Sequence, residues 1–236
     1  MSYEPKTVPY KHQAEILEKT KDLAAHALFL EMGTGKSKII IDTIGHLWLD
    51  RKINGVVILA PKAVAPNWTG DELPAHMPDD ILEAAEVFLW DTGKATGKKY
   101  QADLARFLAT PPDKLAILVM SIDAIMTERK PGAKRGLMKG QEAAKDLLTK
   151  RSCLMAVDES ARIKNPAAKR TKRIVAAGRH AQYRRIATGT PVSNSPFDVF
   201  PQLKFLEPDI WKRIGCSSFE AFQTVFGGWT ELPPNA

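Results

Sequence analysis

Six short hydrophobic runs recur along the chain, and segments with the periodicity of amphipathic helices separate them. The runs are rich in Val, Ile and Leu and do not alternate with polar residues, which is typical of strands buried on both faces. They cover residues His26–Met32, Gly55–Pro61, Ala84–Trp90, Leu115–Ser121, Cys153–Ser160 and Tyr183–Pro191. This pattern predicts an α/β fold built on a doubly wound, mostly parallel sheet with helices on both faces.

A glycine-rich segment follows the first run, at the strand end where sheets of this class place their ligands. It contains, in order, Gly33, Thr34, Gly35, Lys36 and Ser37. The glycines let backbone N–H groups approach phosphate oxygens, and the predicted helix Lys36–Leu49 adds its positive dipole end. The lysine can reach the β- and γ-phosphates, and the serine hydroxyl can bind Mg²⁺. An ordinary strand–helix turn is the alternative, and Leu30 stands where the strict phosphate-loop pattern has glycine.

An acidic pair, Asp158 and Glu159, ends the fifth run. Such a pair is often only the N-terminal cap of a helix. Downstream of a phosphate loop in the same sheet, however, we expect Asp158 to hold Mg²⁺ and Glu159 to polarise the attacking water. Adjacent side chains of a strand point to opposite sides, so one carboxylate can face the metal and the other the water. The predicted catalytic residues are therefore Lys36, Asp158 and Glu159.

Charge changes the picture in one region. The chain of 236 residues has a net charge of +7, and the stretch from Ser160 to Phe197 alone carries +9, with no acidic residue. A basic block of this size indicates a polyanion nearby, although a solvated helix face is the alternative. A helix predicted over 167–178 would place Lys169, Lys172 and Arg173 on one face, away from the sheet.

Several classes of protein are disfavoured. No apolar run reaches the length of a membrane span, the first residues lack the apolar core of a signal peptide, and the two cysteines match no metal-ligand spacing. We therefore expect a cytoplasmic or other intracellular protein. One domain should cover residues 1–226, with a basic exposed insertion at 127–142 and an irregular tail or point of truncation at 227–236.

Six segments together resemble the first RecA-like lobe of superfamily-two helicases, specifically the Swi/Snf-type DNA translocases. They are "PYKHQ" (9–13), the phosphate loop, "ILAPKAVAPNW" (58–68), "VMSIDAI" (119–125), "DESARIKNPAAKRTKRI" (158–174) and "ATGTPVSNSPFDVFPQLKFLEP" (187–208). The order of the segments, rather than any one of them, makes the resemblance specific, and it covers about residues 8–226.

The resemblance implies ATP and Mg²⁺ as cofactors, with duplex DNA and a second RecA-like lobe as partners. It assigns adenine recognition to Gln13, coupling of the nucleotide to the cleft between lobes to Thr188, Gly189 and Thr190, and nucleic-acid contacts to Lys62, Ser121, Lys164 and Asn165. Chemistry alone leaves other roles open. Gln13 could face solvent on a helix, the threonines could cap a turn, and Lys62 could be a solvated lysine.

The chain departs from the family pattern in three ways. Ser160 and Ala161 replace the usual Ala and His, and the absent His implies looser coupling between the nucleotide site and the 188–190 segment. Ile122 replaces an aromatic residue that the family uses near DNA. No arginine-finger segment of a second lobe is visible, so we expect this chain alone to bind ATP far better than it hydrolyses it. Two alternatives remain: a non-enzymatic regulatory module, or a lobe of a restriction-type or other superfamily-two motor.

Overall fold

A computed structural model describes residues 3–126 and 138–227. Its strands form one six-stranded sheet in the order β1-β6-β5-β2-β4-β3, and every neighbouring pair is parallel. The strands are β1 Ala25–Phe29, β2 Gly55–Ala60, β3 Ala85–Leu89, β4 Leu115–Ser121, β5 Cys153–Asp158 and β6 Tyr183–Thr188. The predicted α/β class and parallel sheet are confirmed.

Helices connect the strands and cover both faces of the sheet. They are α1 Lys11–Thr20, α2 Lys36–Leu49, α3 Ala65–Asn67, α4 Leu73–His76, α5 Asp79–Glu83, α6 Lys98–Leu108, α7 Gly140–Lys150, α8 Lys169–Gly178, α9 Val199–Leu206, α10 Ile210–Arg213 and α11 Phe219–Phe226. A π-helical turn covers Trp68–Glu72, and 3₁₀ turns cover Ala124–Met126, Ser160–Ile163 and Pro196–Asp198. The helix α2 has the bounds that the sequence predicts. None of the described helices is long and apolar enough to cross a bilayer.

The two faces of the sheet pack into separate hydrophobic cores, because successive side chains of a strand point to opposite faces. In β2, Val56 and Ile58 belong to a core with α2 and the segment of α3 to α5, whereas Val57 and Leu59 belong to the other core. That second core contains side chains of α6, α7, α8 and α9. The unbroken hydrophobic runs of the inner strands therefore reflect burial on both faces, whereas the edge strands β1 and β3 are only partly buried.

The strands end earlier than the hydrophobic runs suggest. The first, fifth and sixth strands end at Phe29, Asp158 and Thr188, so the polar residues beyond these positions lie in loops. The predicted insertion at 127–142 also requires a correction. Its last residues, 140–142, form the first turn of α7, and Gly140 is buried. Residues 127–137 of that segment and the tail from residue 228 lie outside the described residues.

Much of the basic block is part of the folded structure rather than a free surface. Arg185 is 1% exposed and donates to the carbonyl of Thr20, at the end of α1, where a cation is favourable. Burial lowers its pKa to about 10. Arg184 donates to the carbonyls of Leu206, Gly178 and Ala181.

Three further cations of this block also have partners. Arg173 donates to the carbonyl of Met126, Arg170 pairs with Asp123 at 3.0 Å, and Lys164 lies 3.9 Å from Asp198. The exposed members are Arg162, Lys169, Lys172 and Arg179. Lys169 and Lys172 thus lie on an exposed basic face of α8, as predicted. Arg173 instead turns toward the protein.

Gly178 should not tolerate a side chain. A Cβ atom there would lie 2.6 Å from the Phe205 ring, which is fully buried. We expect Gly178→Ala to lower the free energy of unfolding by about 1–3 kcal/mol through overpacking, measured by urea denaturation. Gly70→Ala is the matched control, because a Cβ there meets nothing within 4 Å. Equal stability of the two variants would contradict this packing.

Both cysteine thiols should be protected in the folded chain. Cys153 and Cys216 are each 0% exposed, and burial raises the pKa of the Cys153 thiol to about 12. At pH 8 this thiol stays protonated, and the thiolate is the form that reacts. We expect a colorimetric thiol reagent to label neither cysteine in the native chain and both after unfolding in guanidinium. Rapid labelling of a native thiol would contradict the described packing.

Candidate nucleotide-binding site

The register of three neighbouring strands brings the polar strand ends to one edge of the sheet. Phe29 of β1 pairs with Thr188 of β6, and Asp158 of β5 pairs with Ala187 of β6. The three strands therefore end within one residue of each other. The phosphate-loop residues follow β1, so this loop, Asp158 and Thr188 are neighbours across the edge.

The loop between β1 and α2 has the backbone of a phosphate-binding loop. Gly33 and Gly35 adopt φ angles of +75° and +82°, a left-handed conformation that glycine adopts without strain. Lys36 and Ser37 begin α2, so their backbone amides lie at its positive end. The Lys36 ammonium folds back over the loop and donates to the carbonyls of Leu30 at 3.1 Å and Glu31 at 2.9 Å.

Gln13 fixes this loop from α1. Its Nε2 donates to the carbonyl of Thr34 at 2.9 Å, and its Oε1 accepts from the backbone of Tyr10 at 2.9 Å. The ring of His12 contacts the same Thr34 carbonyl at 2.9 Å. Gln13 is 4% exposed, so the solvent-facing alternative is wrong. Each end of the amide keeps one hydrogen-bonding position beyond these contacts, so adenine recognition stays a prediction.

A tryptophan side chain holds Asp158 in place. The indole Nε1 of Trp68 donates to the Asp158 carboxylate at 3.1 Å, and the backbone N–H of Glu159 donates to its other oxygen at 3.0 Å. Burial raises the pKa of Asp158, whereas the Trp68 hydrogen bond and the charge of Lys36 act in the opposite direction. A buried indole N–H needs an acceptor. This requirement is the signal by which the sequence could have indicated that Trp68 has a hydrogen-bond partner.

Glu159 is not part of the strand. Its φ of +53° places it in the left-handed region, which is uncommon outside glycine. The argument that adjacent strand residues point to opposite sides is therefore wrong here. The two carboxylates separate all the same, because Glu159 accepts a hydrogen bond from Thr188 Oγ1 at 3.2 Å. The same hydroxyl oxygen accepts from the backbone of Thr190 at 3.1 Å.

A buried glutamine that the sequence did not single out lies behind the loop that follows β6. Gln202 of α9 is 0% exposed, accepts from Ser160 Oγ at 2.7 Å and donates to the carbonyl of Pro191 at 2.8 Å. Asp198 holds the rest of the loop by accepting from the backbone of Ser193 and Asn194 at 3.0 and 2.8 Å. Burial opposes ionisation of Asp198, but these backbone donors hold its pKa below the ordinary value.

The residues predicted to contact nucleic acid lie at the same edge, on the central strands. Lys62 follows β2 and is exposed, and Ser121 ends β4, which pairs with β2. Ser121 Oγ accepts from the backbone of Ala124. Lys164 and Asn165 follow the 3₁₀ turn after β5, and Asn165 accepts locally from Ala167. Their contacts with nucleic acid stay predictions. Ile122 is 1% exposed and packs in the core, so it presents no surface.

The structure also brings together Asp22, His46 and Asp50, a group that the sequence did not reveal. The ring of His46 lies 3.0 Å from Asp22 and 3.4 Å from Asp50. The ammonium of Lys52 contacts both carboxylates, at 2.6 and 2.9 Å. The lysine ammonium therefore places one positive charge between these two carboxylates.

The chain is similar to several curated proteins over most of its own length. It is 31% identical over 199 residues to an Arabidopsis thaliana protein named probable ATP-dependent DNA helicase CHR23, covering 83% of this chain and 16% of that protein. It is 29% identical over 199 residues to a probable chromatin-remodeling complex ATPase chain of Oryza sativa subsp. japonica, covering 83% and 15%. The chain thus spans about one sixth of these relatives.

Two solved structures share the fold. The SWI2/SNF2 ATPase core of Sulfolobus solfataricus in complex with dsDNA superposes with a TM-score of 0.65 at 17% identity, covering 95% of this chain and 40% of that chain. The same core domain solved separately gives 0.63 at 19% identity, covering 96% and 39%. At this level of identity the likeness concerns the fold, which is that of a RecA-like ATPase lobe.

The SNF2-related domain matches residues 16–227, a span that includes all six strands, the phosphate loop, the acidic pair and the loop after β6. Because this match extends over most of the chain, and the expected Swi/Snf-type resemblance is confirmed with it, the chain belongs to the SNF2-related domain family.

Proposed function

We propose that this chain is the ATP-binding lobe of a Swi/Snf-like DNA-dependent ATPase, which couples hydrolysis of Mg-ATP to movement on duplex DNA when a second lobe joins it. One observation carries the proposal. In a chain of this family, the phosphate loop, the half-buried Asp158 and the Glu159–Thr188 pair lie together at the carboxyl edge of three adjacent strands.

The residues at this edge fit Mg-ATP. Left-handed glycines turn loop amides toward a phosphate, and Lys36 reaches over the same loop as the cation for the β- and γ-phosphates. Ser37 and Asp158 offer the oxygen ligands that Mg²⁺ prefers. Bound Mg²⁺ would neutralise the charge that develops on the transferred phosphoryl group.

Glu159 is the group that would orient the attacking water. Its carboxylate is partly exposed and accepts from Thr188, whereas Asp158 is engaged by Trp68 on the other side. This separation leaves Asp158 for the metal and Glu159 for the water. Thr188 donates to Glu159 and accepts from the backbone of Thr190, and this link to the proposed water-orienting group supports the coupling role that the family resemblance implies for Thr188, Gly189 and Thr190.

Duplex DNA is the proposed track. The Sulfolobus solfataricus core with the same fold was solved with dsDNA, and the similar Arabidopsis thaliana protein is named a probable ATP-dependent DNA helicase. Lys62, Lys164 and the exposed Arg162 and Lys169 of the basic block supply positive charge at or near the edge where the strands end. Contacts of this kind bind phosphates and do not read sequence. A second lobe would supply the remaining half of the track.

Removal of the proposed water-orienting group should separate binding from turnover. We expect Glu159→Gln to keep the ATP dissociation constant within about twofold and to lower turnover by about 10²-fold or more, because the water loses its base. ATP turnover with and without duplex DNA, together with nucleotide binding by calorimetry, measures both. Lys36→Ala is the comparison and should lose binding itself.

Unchanged turnover in Glu159→Gln would contradict the catalytic assignment. A wild-type chain that binds ATP through Lys36 but turns none over, even with duplex DNA and an added second lobe, would instead favour a regulatory nucleotide-binding module.

Gln13 should matter for two reasons that GTP can separate. Gln13→Ala removes one of the two side-chain contacts to the Thr34 carbonyl, which loosens the phosphate loop for any nucleotide. It also removes the proposed adenine contact, which concerns ATP alone. We expect ATP affinity to fall by about 10-fold and GTP affinity by about 3-fold, on the scale of one or two hydrogen bonds. Glu15→Ala, an exposed change on the same helix, is the control. Equal losses of ATP and GTP affinity would show that Gln13 supports the phosphate loop but does not recognise adenine.

A further inference from the structure

Ser160 and Gln202 form a fully buried polar contact between the acidic pair and the loop after β6. Both side chains are 0% exposed. The Ser160 hydroxyl donates to Gln202 Oε1 at 2.7 Å, and Gln202 Nε2 donates to the carbonyls of Pro191 at 2.8 Å and Asp198 at 2.9 Å. Both N–H groups of this amide and one position on its oxygen are therefore satisfied.

This contact completes a closed ring of interactions. From Gln202 the ring passes through Pro191 to its chain neighbour Thr190, whose N–H donates to Thr188 Oγ1. That hydroxyl donates to the carboxylate of Glu159, and Ser160 is the next residue of the chain. The ring thus connects the side chain of Glu159 to Thr188, at the start of the loop. It connects the backbone of Glu159 to Pro191 of the same loop, through Ser160 and Gln202.

Glu159 is the strained member of the ring. A left-handed backbone is unfavourable for a residue other than glycine, and such a conformation persists only where the surroundings fix it. A buried and fully satisfied polar network provides such fixation, because each bond has a defined direction and length. An apolar pair at the same positions could fill the space but could not hold the Pro191 carbonyl.

We infer that Ser160 and Gln202 are positioning residues for Glu159, which keep its carboxylate aligned with the 188–191 loop so that hydrolysis depends on them and ATP binding does not. The inference rests on the proposed ATPase function. Ala161 offers no side-chain hydrogen bond to this loop. The Ser160–Gln202 contact instead couples the backbone of the acidic pair to it.

The test compares wild type with Ser160→Ala, Gln202→Leu and the double variant. We expect each to lower DNA-stimulated kcat by at least about 10-fold, while the ATP dissociation constant stays within about twofold. The loss in the double variant should be no larger than that in Gln202→Leu, because residues of one ring do not act independently. Independent, multiplying losses, or a kcat above half of the wild-type value in the double variant, would overturn the inference.

The matched control is Thr171→Val, which removes another buried hydroxyl-to-carbonyl bond, from Thr171 to Ile163, outside the ring. We expect it to shift the urea midpoint about as much as Ser160→Ala but to leave kcat unchanged. A similar fall of kcat in Thr171→Val would show that general loosening explains the effect and would overturn the inference.

A second measurement needs no turnover, and so separates this inference from the proposed function. Amide exchange followed by NMR in this chain should be at least about 10-fold faster for the Thr190 N–H in the double variant than in wild type. The Ala221 N–H, capped by Ser218 on α11, is the internal reference and should not change. Unchanged Thr190 exchange would overturn the inference even if the wild type proves to hydrolyse ATP.

Discussion

The register of β1, β6 and β5 is the constraint on which the site depends. Backbone hydrogen bonds between parallel strands fix which residues lie side by side, and here they set Phe29 beside Thr188 and Asp158 beside Ala187. A shift of one residue would turn every side chain of a strand to the other core. Because both faces of the sheet are buried, the two cores oppose such a shift. The polar residues at the strand ends are therefore kept in alignment by the packing of the two hydrophobic cores, which lie away from the site.

The features that depend on local pattern could be predicted from the sequence. The runs of β2 and β4 are hydrophobic at almost every position, and the structure keeps them almost unchanged. The bounds of α2 follow from glycines before it and a continuous helical pattern within it. The candidate site was predictable to the same extent, because the phosphate loop and Asp158 are each marked by residues adjacent in sequence, and parallel strands bring their carboxyl ends together.

The remaining features depend on contacts between residues distant in sequence. The Trp68 indole meets Asp158 across 90 positions, and Ser160 meets Gln202 across 42. Nothing near either residue in the sequence indicates its partner. The conformation of Glu159 is a similar case. A glutamate has no local preference for the left-handed region, so the sequence pattern predicts that the strand continues through it. The ring of contacts around Glu159 accounts for its left-handed backbone conformation.

The burial of Arg184 and Arg185 has a consequence for how any polyanion would bind. Ions are released from a nucleic acid only in proportion to the phosphates that exposed cations neutralise, and this number sets the dependence of affinity on salt. Four of the nine cations between Ser160 and Phe197, namely Arg170, Arg173, Arg184 and Arg185, already serve backbone carbonyls or a carboxylate within the fold. This block can therefore contribute at most about five units to a salt-dependence slope rather than nine, and its affinity for a polyanion would fall less steeply with salt than its composition suggests.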